Sequence, residues 1–353
     1  MELKDFEVHP SIFFIILLSF KLKILMMFEL ISNFPKQIKE AINIGEKARL
    51  TPAATPIVNV IISGLGGSGI GGSIVSQLVE KESPVPVAVN NKYFLPGYVG
   101  PNTLAIISSY SGNTEETISC LREAIKSGSK IVCITSGGAI AEIARQNKLD
   151  LIEIPGGNPP RASLAYSLTQ LFYVLNFHEI IDNAFKKNLN SAIELISEDK
   201  EPIIIEAKAI AAKLINRIPV IYSVATSESI SIRFRQQLNE NAKTLCWHHV
   251  FPELSHNELV GWTEKNENLA VIILRNKTDF VRNQIRIEIS KKIFERYTST
   301  VIELFSKGNS DIERAIYLIH VGDWISYFLA ELKGIDPVEV KIIDHLKSEL
   351  SKS

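Results

Sequence analysis

The sequence is poor in cysteine and has almost no net charge. Its 353 residues include only three cysteines, none in a CxxC pair, and this sparse, odd set argues against a disulfide framework or a structural zinc site. It fits a reducing, cytoplasmic compartment, and apolar neighbours predict that Cys120, Cys133 and Cys246 are buried small side chains. A net charge of −1 lacks the basic excess that a nucleic-acid-binding protein normally shows, so no nucleic-acid partner is expected.

A hydrophobic run long enough to cross a membrane is also missing. The most apolar stretch, residues 12–20, contains Ser19 and is too short to span about 30 Å of hydrocarbon as a helix. Acidic residues before it, and no small-residue cleavage site after it, argue against a signal peptide. Three interpretations stay open: a membrane-associating extension, an extra packed helix, or translated upstream sequence before a start at Met26 or Met27. We favour the third, so residues 1–27 are interpreted as an extension and no membrane partner is expected.

Strands and helices are predicted to alternate from residue 28 onward. Short apolar runs mark the predicted strands at 57–62, 85–89, 104–108, 130–135, 151–154, 220–224, 269–274 and 300–304. Helical patterns separate them, which predicts an α/β fold with helices on both faces of parallel sheets. Two helical stretches, at about 189–196 and 203–215, bridge two similar halves of the chain. The boundary is expected within 185–200, and the predicted domains are 28–190 and 191–353. A long helix over 312–332 and a last helix opening at Pro337 complete the pattern.

A glycine-rich turn follows the first predicted strand. Residues 64–69, GLGGSG, match GxGxxG between a strand and a helix, where free N–H groups favour an anion. Gly67 and Ser68 are the candidate phosphate contacts. A turn needed only for tight packing remains the alternative, because this motif by itself is weak. A dinucleotide site is disfavoured, since the second strand ends in Asn90 and Asn91 rather than in the acid that holds a ribose.

A hydroxyl-rich turn follows the strand at 104–108. Ser109, Ser111 and Thr114 place three hydroxyls within six residues at a strand end and a helix start, and together with backbone amides they can wrap a terminal phosphate. No lysine is present, so this is not a Walker loop and has no evident triphosphate machinery. The alternative is a capping box of Asn113 and Glu116. The glutamates of this turn must point outward if a phosphate binds.

The two turns and several further motifs resemble those of a known family. The pair GLGGSGIGGS and SSYSGNTEET resembles the sugar isomerase (SIS) domain. Together with PGGNPPRAS, QLNENAK and ELSHNELVGW, it is similar to the bifunctional phosphoglucose/phosphomannose isomerases from about residue 28 to 347. Only the combination of motifs is specific. The resemblance implies two doubly wound parallel-sheet SIS subdomains, each of three αβα layers, with a helical lead-in and C-terminal helices. It also implies a sugar 6-phosphate substrate, no cofactor, and a homodimer with a shared active site.

Aldose–ketose isomerisation needs a carboxylate base, a group that opens the sugar ring, and a cation that stabilises the enediolate. In the family the glutamate of QLNENAK is the base, and in this sequence that residue is Glu240. Without the resemblance, a polar run at a helix end is commonly only a solvent-exposed surface. The arginine after the two prolines, Arg161, would stabilise the enediolate rather than simply end a helix. Lys333 and His256 would open the ring, with His256 reaching into the partner subunit's site. Without the resemblance, Lys333 is interpreted as a cation that stabilises the helix dipole, and His256 as a histidine of a surface loop.

Ser326 lies seven residues before Lys333, on the same helix face. The family tends to carry threonine there, and serine keeps the hydroxyl and the small volume, so mannose 6-phosphate is expected to fit. Glu258 is interpreted as a local orienting residue only.

No metal site is expected, because HExxH is absent and the adjacent pair His248 and His249 would point to opposite faces of a strand. The expected function is a metal-independent isomerase of glucose, mannose and fructose 6-phosphates. A non-catalytic sugar-phosphate regulator and a nicotinamide-dependent oxidoreductase are the rivals.

Overall fold

The computed structural model describes residues 10–352, with side chains from residue 21, and within that range the chain forms two parallel sheets. The strands of the first sheet are β1 (Asn59–Ser63), β2 (Val87–Asn90), β3 (Thr103–Ser109), β4 (Lys130–Thr135) and β5 (Asp150–Glu153). Those of the second are β6 (Ile218–Val224), β7 (Trp247–Phe251), β8 (Leu269–Arg275) and β9 (Val301–Phe305). The orders are β2-β1-β3-β4-β5 and β7-β6-β8-β9, and every neighbouring pair is parallel.

Helices connect the strands and flank both sheets. Those before β6 are α1 (Pro10–Ser32), α2 (Phe34–Lys47), α3 (Gly66–Val79), α4 (Glu115–Ser127), α5 (Gly138–Gln146), α6 (Leu164–Phe177), α7 (Ala184–Glu198) and α8 (Lys200–Leu214). Those after β6 are α9 (Glu228–Glu240), α10 (Val281–Phe294), α11 (Asp311–Leu332) and α12 (Lys341–Leu350). The long helix predicted over 312–332 is therefore confirmed.

Side chains alternate across each strand and so cover both faces of each sheet. In the first sheet Ile62 and Ile106 join a central apolar cluster, whereas Ile61 and Ile107 join an outer cluster with α4 and α5. The central cluster also contains Ile272 of β8, so one helical layer serves both sheets. The second sheet has its own outer cluster with α10. These two doubly wound sheets confirm the predicted α/β fold.

One local prediction was wrong, and one strand was missed. The last helix begins at Lys341 rather than at Pro337, because the carbonyl groups of residues 336–339 accept hydrogen bonds from distant side chains instead of from a following helical turn. Strand β7 was not predicted, since its sequence WHHVF has no apolar alternation; pairing with β6 at the sheet edge makes it a strand. The predicted domain boundary at 190/191 falls inside α7 and stays a prediction.

The first helix packs on the core through its second half. Met27 is 1% exposed, and the ring of Phe28 meets Trp324 of α11 edge-on at 5.0 Å between centroids. The side chains of residues 12–20, on which the interpretation of an extension depends, lie outside the described residues. Among the helices that are described, none combines the length and the apolar character needed to cross a membrane.

The three cysteines are free thiols. Burial is confirmed for Cys120 and Cys133, whereas Cys246 is half-buried. Burial raises the pKa of Cys133 to about 12, so this thiol stays protonated at neutral pH.

The first sheet has a topological switch point between β1 and β3. Helix α3, which follows β1, packs in the central layer through Ile70 and Ile74, whereas α4, which follows β3, packs in the outer layer through Leu121. The two connections therefore leave the sheet on opposite faces, and sheets of this kind commonly bind ligands at such a point. Both turns singled out in the sequence lie at this switch point.

Candidate active site

The glycine-rich turn and the serine turn touch each other at the carboxyl ends of β1 and β3. The backbone N–H of Tyr110 donates to Ser68 Oγ over 3.1 Å, and Ser68 is buried. A Cβ atom on Gly67 would lie 3.1 Å from the carbonyl oxygen of Pro160, the residue before Arg161. Glycine at this position thus lets the start of α3 approach the loop that carries Arg161.

The serine turn gathers its hydroxyls at the start of α4. Ser109 Oγ lies 3.0 Å from Thr114 Oγ1 and accepts the backbone N–H of Gly112 over 3.2 Å, while Ser111 is exposed. Gly112 has φ +69°, and a Cβ on it would lie 1.8 Å from the carbonyl oxygen of Gly137. Only glycine fits there, so the turn has a single tightly specified shape. Its hydroxyls and the start of α4 are the donors that an anion needs.

The capping box considered for this turn does not form. Thr114, not Asn113, precedes the first residue of α4, and Asn113 Oδ1 accepts the backbone N–H of Ala139 instead. Glu115 is exposed, and Glu116 forms a side-chain hydrogen bond with the exposed Tyr93. Glu115 therefore has solvent, and Glu116 has a partner, away from the hydroxyls.

The opposite wall of the candidate site is built around Arg161, which is 4% exposed. Its Nε donates to Asn241 Oδ1 over 2.7 Å, and Nη1 lies 3.3 Å from Glu240 Oε2. Its Nη2 donates to the carbonyl oxygens of Pro337 and Val338. Burial lowers the pKa of Arg161, and the Glu240 carboxylate opposes that shift. A buried guanidinium with this many acceptors is held in one orientation.

Glu240 is the last residue of α9, and its side chain is 31% exposed. The carboxylate is therefore paired with Arg161 and still open to a ligand. The next two residues, Asn241 and Ala242, are fully buried, so the end of α9 is fixed by packing.

Ser326 and Lys333 both contact the segment that follows Glu240. Lys333 caps α11, and its Nζ donates to the carbonyl oxygen of Ala242 over 2.8 Å and to Thr244 Oγ1 over 2.7 Å. Burial lowers the pKa of Lys333. Ser326 is fully buried, and its Oγ accepts from Asn241 Nδ2 over 2.9 Å. Ser326 thus stands behind Asn241 rather than at an open surface.

His256 lies apart from this group. It ends a short 3₁₀ helix after β7 and is exposed. Within the described part of the chain, no hydrogen bond or ion pair joins it to Arg161 or Glu240. Glu258, two residues on, accepts from the Tyr222 hydroxyl and from Trp247 Nε1, which ties this loop to the second sheet.

Sequence reasoning missed the residues that support Arg161 from behind. Arg233 Nη2 donates to both carboxylate oxygens of Asp323 over 3.0 Å and to the carbonyl oxygen of Arg161 over 2.7 Å. Both Arg233 and Asp323 are buried. The sequence signal for this pair was Asp323, a single acidic residue inside the apolar run of α11, because a buried carboxylate requires a partner. Asn241 and Lys243 lie within the motif QLNENAK, but the sequence assigned no role to either residue.

The adjacent histidines do face opposite sides of β7. His248 Nε2 lies 3.6 Å from Glu228, whereas His249 Nε2 lies 3.1 Å from Asn257 Oδ1. Across the described residues, no group of three or more His, Cys, Asp or Glu side chains is arranged to hold a metal ion.

Comparison with known proteins identifies the fold and the family of this chain. Residues 204–350 match the family model of the bacterial phospho-glucose isomerase C-terminal SIS domain. The C-terminal domain of glucosamine-fructose-6-phosphate aminotransferase from Francisella tularensis has the same fold, with a TM-score of 0.71 at 15% identity, over 89% of this chain and 98% of that one. The two parallel sheets thus have the fold of SIS-domain proteins.

Relatives identify the family more closely. The chain is 40% identical to a bifunctional phosphoglucose/phosphomannose isomerase from Caldicellulosiruptor bescii, over 92% of this chain and 99% of that protein. It is 39% identical to one from Aquifex aeolicus, over 84% of this chain and 92% of that protein. The chain belongs to the family of bifunctional phosphoglucose/phosphomannose isomerases.

The shape of the serine turn can be tested with a matched pair of glycine variants. Gly112→Ala should weaken binding of a sugar phosphate at least about tenfold, because the new Cβ would displace the turn and cost one or two hydrogen bonds to the anion. Gly128 has a similar φ of +71°, but a Cβ there would be 3.8 Å from its nearest neighbour, so Gly128→Ala controls for backbone strain. Calorimetric titration of both variants measures the difference. Equal affinities would contradict a phosphate role for the turn.

Proposed function

We propose that this chain interconverts glucose 6-phosphate and mannose 6-phosphate with fructose 6-phosphate through an enediolate, without a metal ion. The observation that carries the proposal is the pair formed by the half-exposed Glu240 carboxylate and the buried Arg161 guanidinium, 3.3 Å apart. A carboxylate can remove a proton next to a carbonyl group, and a fixed cation beside it can stabilise the oxyanion that results. The relatives described above carry the names of these two activities.

The two halves of the chain divide the work in this proposal. Gly67, Ser68, Ser109, Ser111 and Thr114 hold the phosphate at the first switch point. The phosphate is then distant from the reacting carbons, so its binding energy serves to orient the substrate. The start of α3 contacts the loop that carries Arg161, and this contact supports the proposal. It places the glycine-rich turn close to the guanidinium that would stabilise the enediolate.

Proton transfer in the open-chain sugar follows from this placement. Glu240 takes the proton from C2 of the aldose, and the electron pair moves through a C1–C2 double bond to the carbonyl oxygen, giving the enediolate beside Arg161. The same carboxyl group returns the proton to C1, while the proton on the C2 hydroxyl moves to the C1 oxygen. The ketose forms without an external oxidant or cofactor. Lys333 and His256 supply and remove protons at the ring oxygen and the anomeric hydroxyl when the ring opens.

Acceptance of both aldose epimers would depend on room at C2. Ser326 is fully buried behind Asn241, to which it is hydrogen-bonded. A small residue there lets Asn241 lie back against α11 and keeps the site open near Glu240. Mannose 6-phosphate differs from glucose 6-phosphate only in its configuration at C2, so space at that carbon would admit both.

A homodimer would bring His256 to the partner subunit's site. Its loop is exposed yet anchored through Glu258, Tyr222 and Trp247, which suits a rigid contribution to a neighbour. We also propose a cytoplasmic location and a division into domains at 28–190 and 191–353.

A coupled assay tests the activity itself. With fructose 6-phosphate as substrate and EDTA present, the wild-type chain should form both glucose 6-phosphate and mannose 6-phosphate, measured separately with specific coupling enzymes. EDTA should leave both rates unchanged, because the proposed chemistry uses side chains only. Binding of sugar phosphates with no turnover would favour the non-catalytic regulator, and loss of activity with EDTA would contradict metal independence.

Glu240→Gln tests the base. The amide keeps the shape but cannot accept a proton, so kcat should fall by about 10²- to 10⁴-fold while fructose 6-phosphate still binds. In deuterated water the wild-type product should gain deuterium at the transferred position, and this incorporation should fall with kcat. Glu264→Gln, which changes an exposed loop glutamate, is the control. Near-full turnover in Glu240→Gln would show that another group is the base.

Mixed dimers test whether His256 acts on the partner's substrate. Glu240→Gln and His256→Ala protomers should each be inactive alone. After subunit exchange, half of the dimers are mixed and one of their two sites is intact, so about a quarter of the wild-type activity should return. Exchange is checked by mass spectrometry on differently tagged chains. No recovery after proven exchange would place His256 in the site of its own subunit.

A further inference from the structure

Four of the donors of Arg161 are already taken by the protein. An arginine has five N–H donors, and here Nε, both hydrogens of Nη2 and one hydrogen of Nη1 have acceptors among the described residues. Two of those acceptors are the carbonyl oxygens of Pro337 and Val338. The hydrogen left over is on Nη1, the nitrogen that also contacts Glu240. The position of segment 336–339 therefore decides which way this last donor points.

One lysine side chain ties that segment to the end of α9. Lys243 Nζ donates to the carbonyl oxygens of Glu240 over 2.7 Å, Asp336 over 2.8 Å and Glu339 over 2.7 Å. An ammonium group has three donors, so all of them are used. Lys243 therefore anchors both ends of segment 336–339 to the backbone of Glu240.

The backbone at Lys243 suggests that its side chain is needed. The residue has φ +48°, in the left-handed region that glycine and asparagine adopt far more readily after a helix end. A strained conformation of this kind persists where the surroundings require it, and it is common at functional sites. The three hydrogen bonds to carbonyl oxygens explain why lysine occupies this position although its backbone conformation disfavours it.

A second anchor holds segment 336–339 from the other side. Asp336 Oδ2 forms an ion pair of 2.8 Å with Lys23 of α1. Its Oδ1 accepts the backbone N–H groups of Val338 over 2.8 Å and of Glu339 over 3.2 Å. These bonds turn the carbonyl groups of Pro337 and Val338 toward Arg161. The segment is held between a cation of the first helix and a cation that follows α9.

We propose that Lys243 is a positioning residue for the isomerisation, because it holds segment 336–339 so that Arg161 presents its one remaining N–H beside Glu240. The inference rests on the proposed function, in which Arg161 stabilises the enediolate. A guanidinium whose other donors are occupied needs little reorganisation when charge develops, and a shift of about 1 Å in such a group can cost about 10²-fold in rate. The role concerns the transition state and not the phosphate, which lies on the first half of the chain.

Lys243→Asn tests this role. Asparagine accepts the left-handed backbone, so the change removes the three contacts without adding strain. We expect kcat to fall at least about tenfold, with KM for fructose 6-phosphate and the affinity for a hexitol 6-phosphate within twofold of wild type. Affinity for a five-carbon hydroxamate phosphate, which mimics the enediolate, should fall together with kcat. Lys341→Asn, at an exposed lysine that starts α12, is the matched control.

Asp336→Ala separates position from charge, since it removes an anion where Lys243→Asn removes a cation. Both variants free the same segment, so both should lower kcat and hydroxamate affinity and spare the hexitol phosphate. Opposite effects in the two variants would mean that Lys243 acts through its charge, and the proposal would be wrong. Asp336→Ala applies the same criterion if Lys243→Asn does not fold.

Two further outcomes would overturn the positioning role: a kcat within twofold of wild type in Lys243→Asn, or an equal loss of affinity for the hexitol and the hydroxamate. A crystal structure of the variant gives a readout that does not depend on activity. Arg161 should lose its contacts with Pro337 and Val338 there, and an unchanged Arg161 would contradict the inference. If the wild-type chain catalyses no isomerisation, the proposed function fails, whereas this structural comparison still decides what Lys243 holds.

Discussion

The burial of the Arg161 guanidinium is the constraint on which the candidate site depends. A charge that is 4% exposed is costly to bury unless acceptors surround it. Its acceptors lie 79 and 80 residues away at the end of α9 and 176 and 177 residues away in the segment before α12. One side chain therefore forces the loop after β5, the end of α9 and the C-terminal segment into one place. Arg233 and Asp323 complete this arrangement by fixing the backbone of Arg161 from the buried side.

The two sheets contribute to the site in different ways. The switch point of the first sheet offers hydroxyls and helix N-terminal amides, which suit a phosphate because they need no cation of their own. The second half offers a carboxylate at the end of a helix and lysines that contact the following segment. The shared central layer of helices makes this division possible, since α9 packs there against both α3 and α11.

Periodicity predicted every strand except β7. Strands β3, β4 and β8 are continuous apolar runs, so their place in parallel sheets could be read directly. Strand β7 could not, because an edge strand needs little apolar sequence. Proline at 337 is a good signal for a helix start, yet Arg161 and Lys243 take the carbonyl oxygens around it, and the helix begins only at Lys341.

Local sequence by itself determined the serine turn, the glycine turn, the alternation of strands and helices, and, through the resemblance, the candidate site residues. These features depend on residues close together in the chain, where steric and hydrogen-bonding rules act locally. Only the tertiary structure decided that Arg161 contacts Glu240, that Ser326 stands behind Asn241, and that Lys243 and Lys23 hold one segment between them. Those contacts join residues far apart in sequence, and burying a charge determines which of them must meet.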